Sequence, residues 1–296
     1  MRAIFTSALA VVLAFSAGPR QAAAAPKLHV VATTTDIKSI VMAVGGDRID
    51  VESLAAPTQD PHFLELKPNQ IARLRTASLV VQIGLDHEPW LARMQTSAPV
   101  VNLSRNVRLL QTETPRLRVE RRSHTHAFGN PHYWLNPNNA RPMAAAIAQA
   151  LEKLRPADQA YFEANRTAFL KRLDQRMPVW TQTLAPYAGT RMVAMHDTWT
   201  YFADAFKLAV VAAAEPMPGV PPSPSELARL YARMREAKVT LVIADPGANQ
   251  ALVRQMVERG NARVVALVPS VGADPAAGDY VALIDLNFAR LVEALR

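Results

Sequence analysis

Leu28–Val44 reads LHVVATTTDIKSIVMAV. Its opening, LHVVATTT, is an apolar, β-branched run that suits a strand buried in a parallel sheet. The DIKSIVMAV that follows has helical spacing, with Asp36 placed to cap it. Strand-like runs recur as IDVESLAA (Ile49–Ala56), SLVVQIG (Ser78–Gly84) and PVVNL (Pro99–Leu103). Between them lie the helical patterns PNQIARLRTA, with Pro68 at a first helical position, and HEPWLARMQ from His87. Alternation of this kind predicts a βαβ lobe.

Residues 111–131 interrupt the pattern with Thr, Pro, Arg, Ser and Gly and without apolar periodicity, which predicts a long surface loop. Asn136 and Pro137 then open a helix over Ala140–Leu154. A second helical pattern runs from Pro156 to Leu184, a span of 29 residues, or roughly 43 Å at 1.5 Å per residue. It predicts a spine between two lobes, the alternative being two helices broken near Pro178. Strand and helix patterns resume with TRMVAM (Thr190–Met195), Trp199–Phe206, LAVVAAA (Leu208–Ala214), VTLVIA (Val239–Ala244), NQALVRQMVERG, ARVVAL (Ala262–Leu267) and a terminal helix to Leu295. One helix start is explicit: Ser223 caps, Pro224 takes the first position and Glu226 completes a capping box. The fold expected is α/β, with two lobes, each a mainly parallel sheet flanked by helices, joined by a long spine helix. Residues 25–155 form the first lobe, 156–186 the spine and 187–296 the second lobe.

Residues 1–24 stand apart. Arg2, the apolar stretch Ile4–Ala17, Gly18-Pro19 and the alanines from Ala22 read as a secretory signal, with cleavage expected after Ala24. The apolar stretch is about 14 residues, short of the roughly 20 that span a bilayer. With no cysteine in the chain, a thioether-linked lipid has no attachment point. A periplasmic protein is therefore expected. Loss of Arg2 and Arg20 leaves 31 basic against 25 acidic residues. The basic residues are scattered except over Arg116–Arg122, where no aromatic residue is interleaved, which argues against nucleic-acid binding.

Without thiolates, histidine and carboxylate are the metal donors available. His62 (DPHFLELKP), His132 (GNPHYWLNP) and His196 (MHDTW) each stand at an element junction, 64 to 70 residues apart. Imidazoles gathered from both halves of a chain suit a transition-metal dication. Asp279, in the turn before the final helix, is the first candidate for a fourth donor. Asp245, in the turn after VTLVIA, is the second, and water the third. Asp279 as a plain helix cap is the competing role. Asp60 is placed to orient a ligating histidine. His29 and His87 read as structural, and His124 and His126 as part of a solvated loop.

The segments VVATTTDI, DPHFLELKP, GNPHYWLNP, MHDTWTYFADAF, PGVPPSPSELARL and GDYVALIDLNFARLVEAL resemble the periplasmic zinc- and manganese-binding solute receptors of bacterial ABC importers, the class with a rigid helical spine. The resemblance implies His62, His132 and His196 as metal ligands, with Asp279 as the carboxylate. It implies a monomer that is not an enzyme and that captures a divalent metal ion between its lobes for a membrane permease. Manganese-type members carry a carboxylate where this chain has His196, so Zn2+ is expected ahead of Mn2+. Two features depart from the pattern: the 111–131 loop holds only two histidines, and Asp279 sits one residue tighter to the final helix. A zinc hydrolase using the same three histidines plus water is the rival reading, but no H-E-x-x-H arrangement supplies its base. A binding module for a small organic anion is a third.

Overall fold

The computed structural model describes residues 25–110, 129–215 and 220–296. The signal segment, the basic cluster Arg116–Arg122, and His124 and His126 lie outside them. The first sheet has strands β1 (Leu28–Ala32), β2 (Ile49–Ser53), β3 (Leu79–Gln82) and β4 (Val100–Asn102) in the order β2-β1-β3-β4, all parallel. Around it stand helices α1 (Thr35–Gly45), α2 (Pro68–Thr76) and α3 (Ala140–Leu154). The second sheet, β5 (Arg191–Ala194), β6 (Ala209–Ala213), β7 (Leu241–Ala244) and β8 (Arg263–Ala266), repeats the topology as β6-β5-β7-β8, again parallel. Its helices are α5 (Thr200–Ala205), α6 (Pro224–Glu236), α7 (Gln250–Gly260) and α8 (Tyr280–Leu295).

Between the sheets, the spine is one continuous 26-residue helix, here α4 (Gln159–Leu184), with Pro178 inside it. At 1.5 Å per residue it reaches about 39 Å. Residues 156–158 and 185–187 are 3-10 turns at its two ends, which accounts for the longer span expected from sequence.

Side chains alternate across a strand, so each sheet has an inner and an outer row. Val30, Ala32, Leu79 and Val81 of the first sheet and Met192, Ala194, Leu241 and Ile243 of the second belong to one continuous core with Phe162, Phe169, Leu173, Trp180 and Leu184 of α4. The outer rows, Val31 and Val80 on one sheet and Val193 and Val242 on the other, pack in two separate smaller clusters. The two halves are thus built around shared apolar material.

Polar ties reinforce that contact. Asp285 accepts from Arg176 Nε and Trp180 Nε1, each at 2.8 Å, fixing α8 to α4. The Val271 amide donates to Asp36 Oδ1 at 2.9 Å and the Tyr280 amide to Ser39 Oγ at 2.9 Å, fixing the second half to α1. Asp36 is therefore not the α1 cap expected from sequence. Thr34 fills that role, its hydroxyl accepting from the Ile37 amide.

Burial pushes the Asp36 carboxyl up to about 7, against the hydrogen bonds from Val271, its own amide and Ser270. A folded-state value above the unfolded one means the fold favours the protonated acid. The cost of ionising it is absent near pH 4, grows between the two values and is complete above about pH 7, reaching at most about 4 kcal/mol. Asp36→Asn keeps an oxygen for Val271 and removes that cost. In metal-free protein it is expected to raise the melting temperature by several degrees at pH 8 and by almost nothing at pH 4, as read by thermal denaturation across that range.

Candidate metal centre

Open parallel sheets place ligands beyond the carboxyl ends of their strands, and here the ends of both sheets face one cavity of about 380 Å³. It is lined by His62 from the segment after β2, His87 after β3, His132 between β4 and α3, and His196 after β5. Asp36, Asp60, Glu215 and Asp245 also line it, and among the described residues no lysine or arginine does. In a chain of formal net charge +8, that sorting of charge makes the cavity a place for a cation.

Two of the histidines are held by the same device. In Asp60-Pro61-His62, Asp60 Oδ1 receives both the His62 amide at 2.9 Å and His62 Nδ1 at 2.8 Å. In Asn130-Pro131-His132, Asn130 Oδ1 receives the His132 amide and His132 Nδ1, each at 2.9 Å. An oxygen acceptor at Nδ1 keeps the proton there and leaves the Nε2 lone pair for a metal, the usual outer-shell arrangement of a ligating imidazole. Burial draws the Asp60 carboxyl upward, but the hydrogen bonds and charge of His62 outweigh it and leave Asp60 below the ordinary aspartate range. Asn130 has a second function: its Nδ2 donates to the Asp197 carbonyl at 2.8 Å, tying the His132 turn to the residue after His196.

His62, His87 and His132 offer ligating nitrogens that all lie within 4.8 Å of one another. The His196 ring stands 5.5 Å from His132 and 6.5 Å from His62, on the side of the second sheet. The three histidines singled out by sequence are therefore together, and a fourth joins them. HEPWLARMQ forms no regular helix: turns lead into a single 3-10 turn at Leu91–Arg93, and His87 is buried at 1 % exposure in front of it. The signal that could have found His87 was its place just beyond the end of β3, the same criterion that picks out His62 and His196.

Asp279 stands elsewhere. Its Oδ1 accepts from the Ala282 amide at 2.9 Å as the cap of α8, and its Oδ2 from Arg172 at 2.8 Å. It lines a separate surface cavity with Lys38 and Met42. Asp245 does line the histidine cavity, with Oδ1 accepting from Trp199 Nε1 at 2.7 Å. Burial, with the nearby negative charge of Glu215 and against the Trp199 hydrogen bond, pushes its carboxyl up to about 7.

Residues 30–294 match the family model described as zinc-uptake complex component A, periplasmic. The chain belongs to this family. Within the zinc-uptake component A family, the high-affinity zinc uptake system protein of Yersinia pestis is 25 % identical over 266 residues, covering 81 % of this chain and 82 % of that protein. A manganese ABC transporter substrate-binding lipoprotein of Streptococcus pneumoniae is 23 % identical, covering 99 % of this chain and 97 % of its own. Among solved structures, that of the zinc-uptake protein ZnuA aligns with a TM-score of 0.77 at 25 % identity, over 90 % of this chain and 99 % of that one. The solute-binding protein FpvC of Pseudomonas aeruginosa, in complex with Mn2+, aligns with a TM-score of 0.78 at 26 % identity, over 90 % of this chain and 98 % of that one.

The paired turns separate two roles that can be tested. Asp60→Ala removes the acceptor of His62 Nδ1 and is expected to weaken divalent-metal binding roughly 10- to 100-fold, the range for residues that only orient a ligand. Asn130→Ala is expected to cost more, because it also cuts the tie to Asp197. Competition titration against a chelator measures both, and equal, negligible losses would show that the turns do not orient ligands.

Proposed function

We propose that this protein is an extracytoplasmic receptor that captures Zn2+ between its two lobes and delivers it to the permease of an ABC importer. His62 and His132 come from the first lobe and His196 from the second. The observation that carries the reading is the convergence of these imidazoles, two of them with Nδ1 committed to a fixed oxygen, in a cavity that is lined by carboxylates and, among the described residues, by no lysine or arginine. Imidazole is a borderline donor that suits zinc better than manganese, which favours oxygen ligands. The family and its relatives, named for uptake and substrate binding, support a receptor and give no support to a hydrolase.

Export follows from the leader-like segment 1–24, and mature protein from the periplasm is expected to begin at Ala25 on N-terminal sequencing. The mature chain is expected to act as a monomer. Calorimetry should show one Zn2+ per chain, bound tighter than micromolar, with Mn2+ weaker. His196→Ala should weaken zinc more than the Asp60→Ala change does. No metal bound tighter than micromolar would overturn the proposal, as would esterase or phosphatase turnover by the zinc form that His196→Ala abolishes.

A further inference from the structure

Resting on the receptor reading, we propose that His87 is the fourth metal ligand. The ion is then held by imidazoles alone, and the cargo class is the borderline d-block dications, Zn2+ and its neighbours Co2+, Ni2+ and Cu2+, with Mn2+ discriminated against.

The geometry is close to what such a shell requires. Metal–nitrogen bonds of about 2.0–2.1 Å in a tetrahedron put the nitrogens about 3.4 Å apart and the ring centres about 5 Å apart. The His87 ring centre lies 4.5 Å from that of His62 and 5.5 Å from that of His132, His62 lies 5.9 Å from His132, and His196 stands furthest out, 5.5 Å from His132 and 6.5 Å from His62, so it is the ring that must move in most. The ligating nitrogens of His62, His87 and His132 lie within 4.8 Å of one another, so reaching a spacing of about 3.4 Å asks each pair to close by about 1.4 Å at most. Asp279, the carboxylate that would otherwise complete the set, is held by Ala282 and Arg172 outside the cavity.

The loop that carries His87 is built at a conformational cost. Gly84, Leu85 and Asp86 take consecutive positive φ values of 81°, 58° and 59°. Left-handed backbone is routine for glycine and unfavourable for leucine. Gly84 cannot be replaced without collision, since a Cβ there would come within 2.3 Å of Asn102 Oδ1. Glu88, the next residue after His87, holds the turn shut. Its Oε1 accepts from the Ile83 amide at 2.8 Å and from the Thr33 hydroxyl, and its Oε2 from the Gly84 amide at 2.9 Å. Tyr133 adds a hydrogen bond to the Ile83 carbonyl at 2.7 Å. Strain that persists because its surroundings over-determine it concentrates at functional positions. What this turn delivers is one imidazole, 1 % exposed, at the wall of the histidine cavity.

The alternative role for His87 is packing, its ring centre being 5.2 Å from that of Trp134. A packing residue would not explain nitrogens gathered with those of two other histidines at metal-ligand range. Four neutral imidazoles leave the full charge of the ion in place, unlike a site that includes a carboxylate. Such a shell favours metals that bind nitrogen well and disfavours Mn2+.

X-ray absorption of the zinc-loaded mature protein tests this directly. The expected spectrum shows four nitrogen scatterers with the outer-shell pattern of four imidazoles. In His87→Phe, which keeps an aromatic ring in the cavity wall, three imidazoles and one light scatterer from water are expected. Zinc affinity there should fall by more than the roughly 100-fold reached by orienting residues. His87→Asp should narrow the preference for Zn2+ over Mn2+ at least about tenfold, as hard oxygen donors suit Mn2+. A wild-type spectrum with three imidazoles or fewer would overturn the assignment of His87 while leaving the receptor reading intact. So would wild-type affinity and an unchanged spectrum in His87→Phe. Failure of the wild-type protein to bind zinc would instead remove the receptor reading on which the assignment rests. Should both variants fail to fold, the wild-type count of imidazoles decides alone.

Discussion

Because β1, β3, β5 and β7 each turn one row of side chains into the same core along α4, the carboxyl ends of the two sheets are held at a set separation. Moving the halves apart would expose residues such as Phe169 and Tyr280, both buried in that core. Each large apolar side chain so exposed costs about 1.5–3 kcal/mol. The Asp285 and Asp36 hydrogen bonds that fasten α8 to α4 and the second half to α1 would be lost as well. The cavity between the strand ends is thus a property of the core, and its lining histidines come from short segments that lie outside the sheets.

Within that frame the site is organised by where protons and charges are placed. The Asx-Pro-His turns use the rigidity of proline and one side-chain oxygen to set an amide and an Nδ1 together, at two points 70 residues apart. They differ in one respect. Asp60 brings a negative charge to His62, whereas the neutral Asn130 spends its amide nitrogen on the Asp197 carbonyl. The orientation of His132 is therefore linked to the backbone that carries His196, and a cavity histidine of the first half is positioned partly by the second. Trp134, which follows His132 closely, adds another such link through Nε1 to the Pro269 carbonyl at 3.0 Å.

Much of this was legible in the chain. Buried strands read as continuous β-branched runs, α3 as Ala140–Leu154 and the Ser223 capping box as such because each depends on local chemistry that sequence states outright. Three of the four histidines were legible by their junctions. His87 was not, because HEPWLARMQ carries helical spacing while the residues before it, Gly84 to Asp86, turn left-handed and are closed by Glu88 on Thr33, just beyond the end of β1. That closure is a long-range contact with no local signature. Asp279 shows the opposite case. A carboxylate at the start of a helix satisfies a capping pattern and a ligand pattern equally in sequence, and only the position of Arg172 on α4 separates them. Likewise Thr34 and Asp36 both suit a cap, and the tertiary partner Val271 takes Asp36 away from that role.

Overall similarity is blind to the ion in a family of this kind. A zinc uptake protein at 25 % identity over 81 % of this chain and a manganese lipoprotein at 23 % over 99 % both match it, so identity alone does not separate the two cargoes. Donor chemistry is decided by a few residues just beyond the strands, where a single exchange of imidazole for carboxylate alters both the hardness of the site and its net charge. His196 and His87 line the cavity from such segments, one in each half of its wall. The fold sets the separation of the lining histidines, and two turns fix Nδ1 of His62 and His132, so the preference among metals rests on which donor atoms face the cavity.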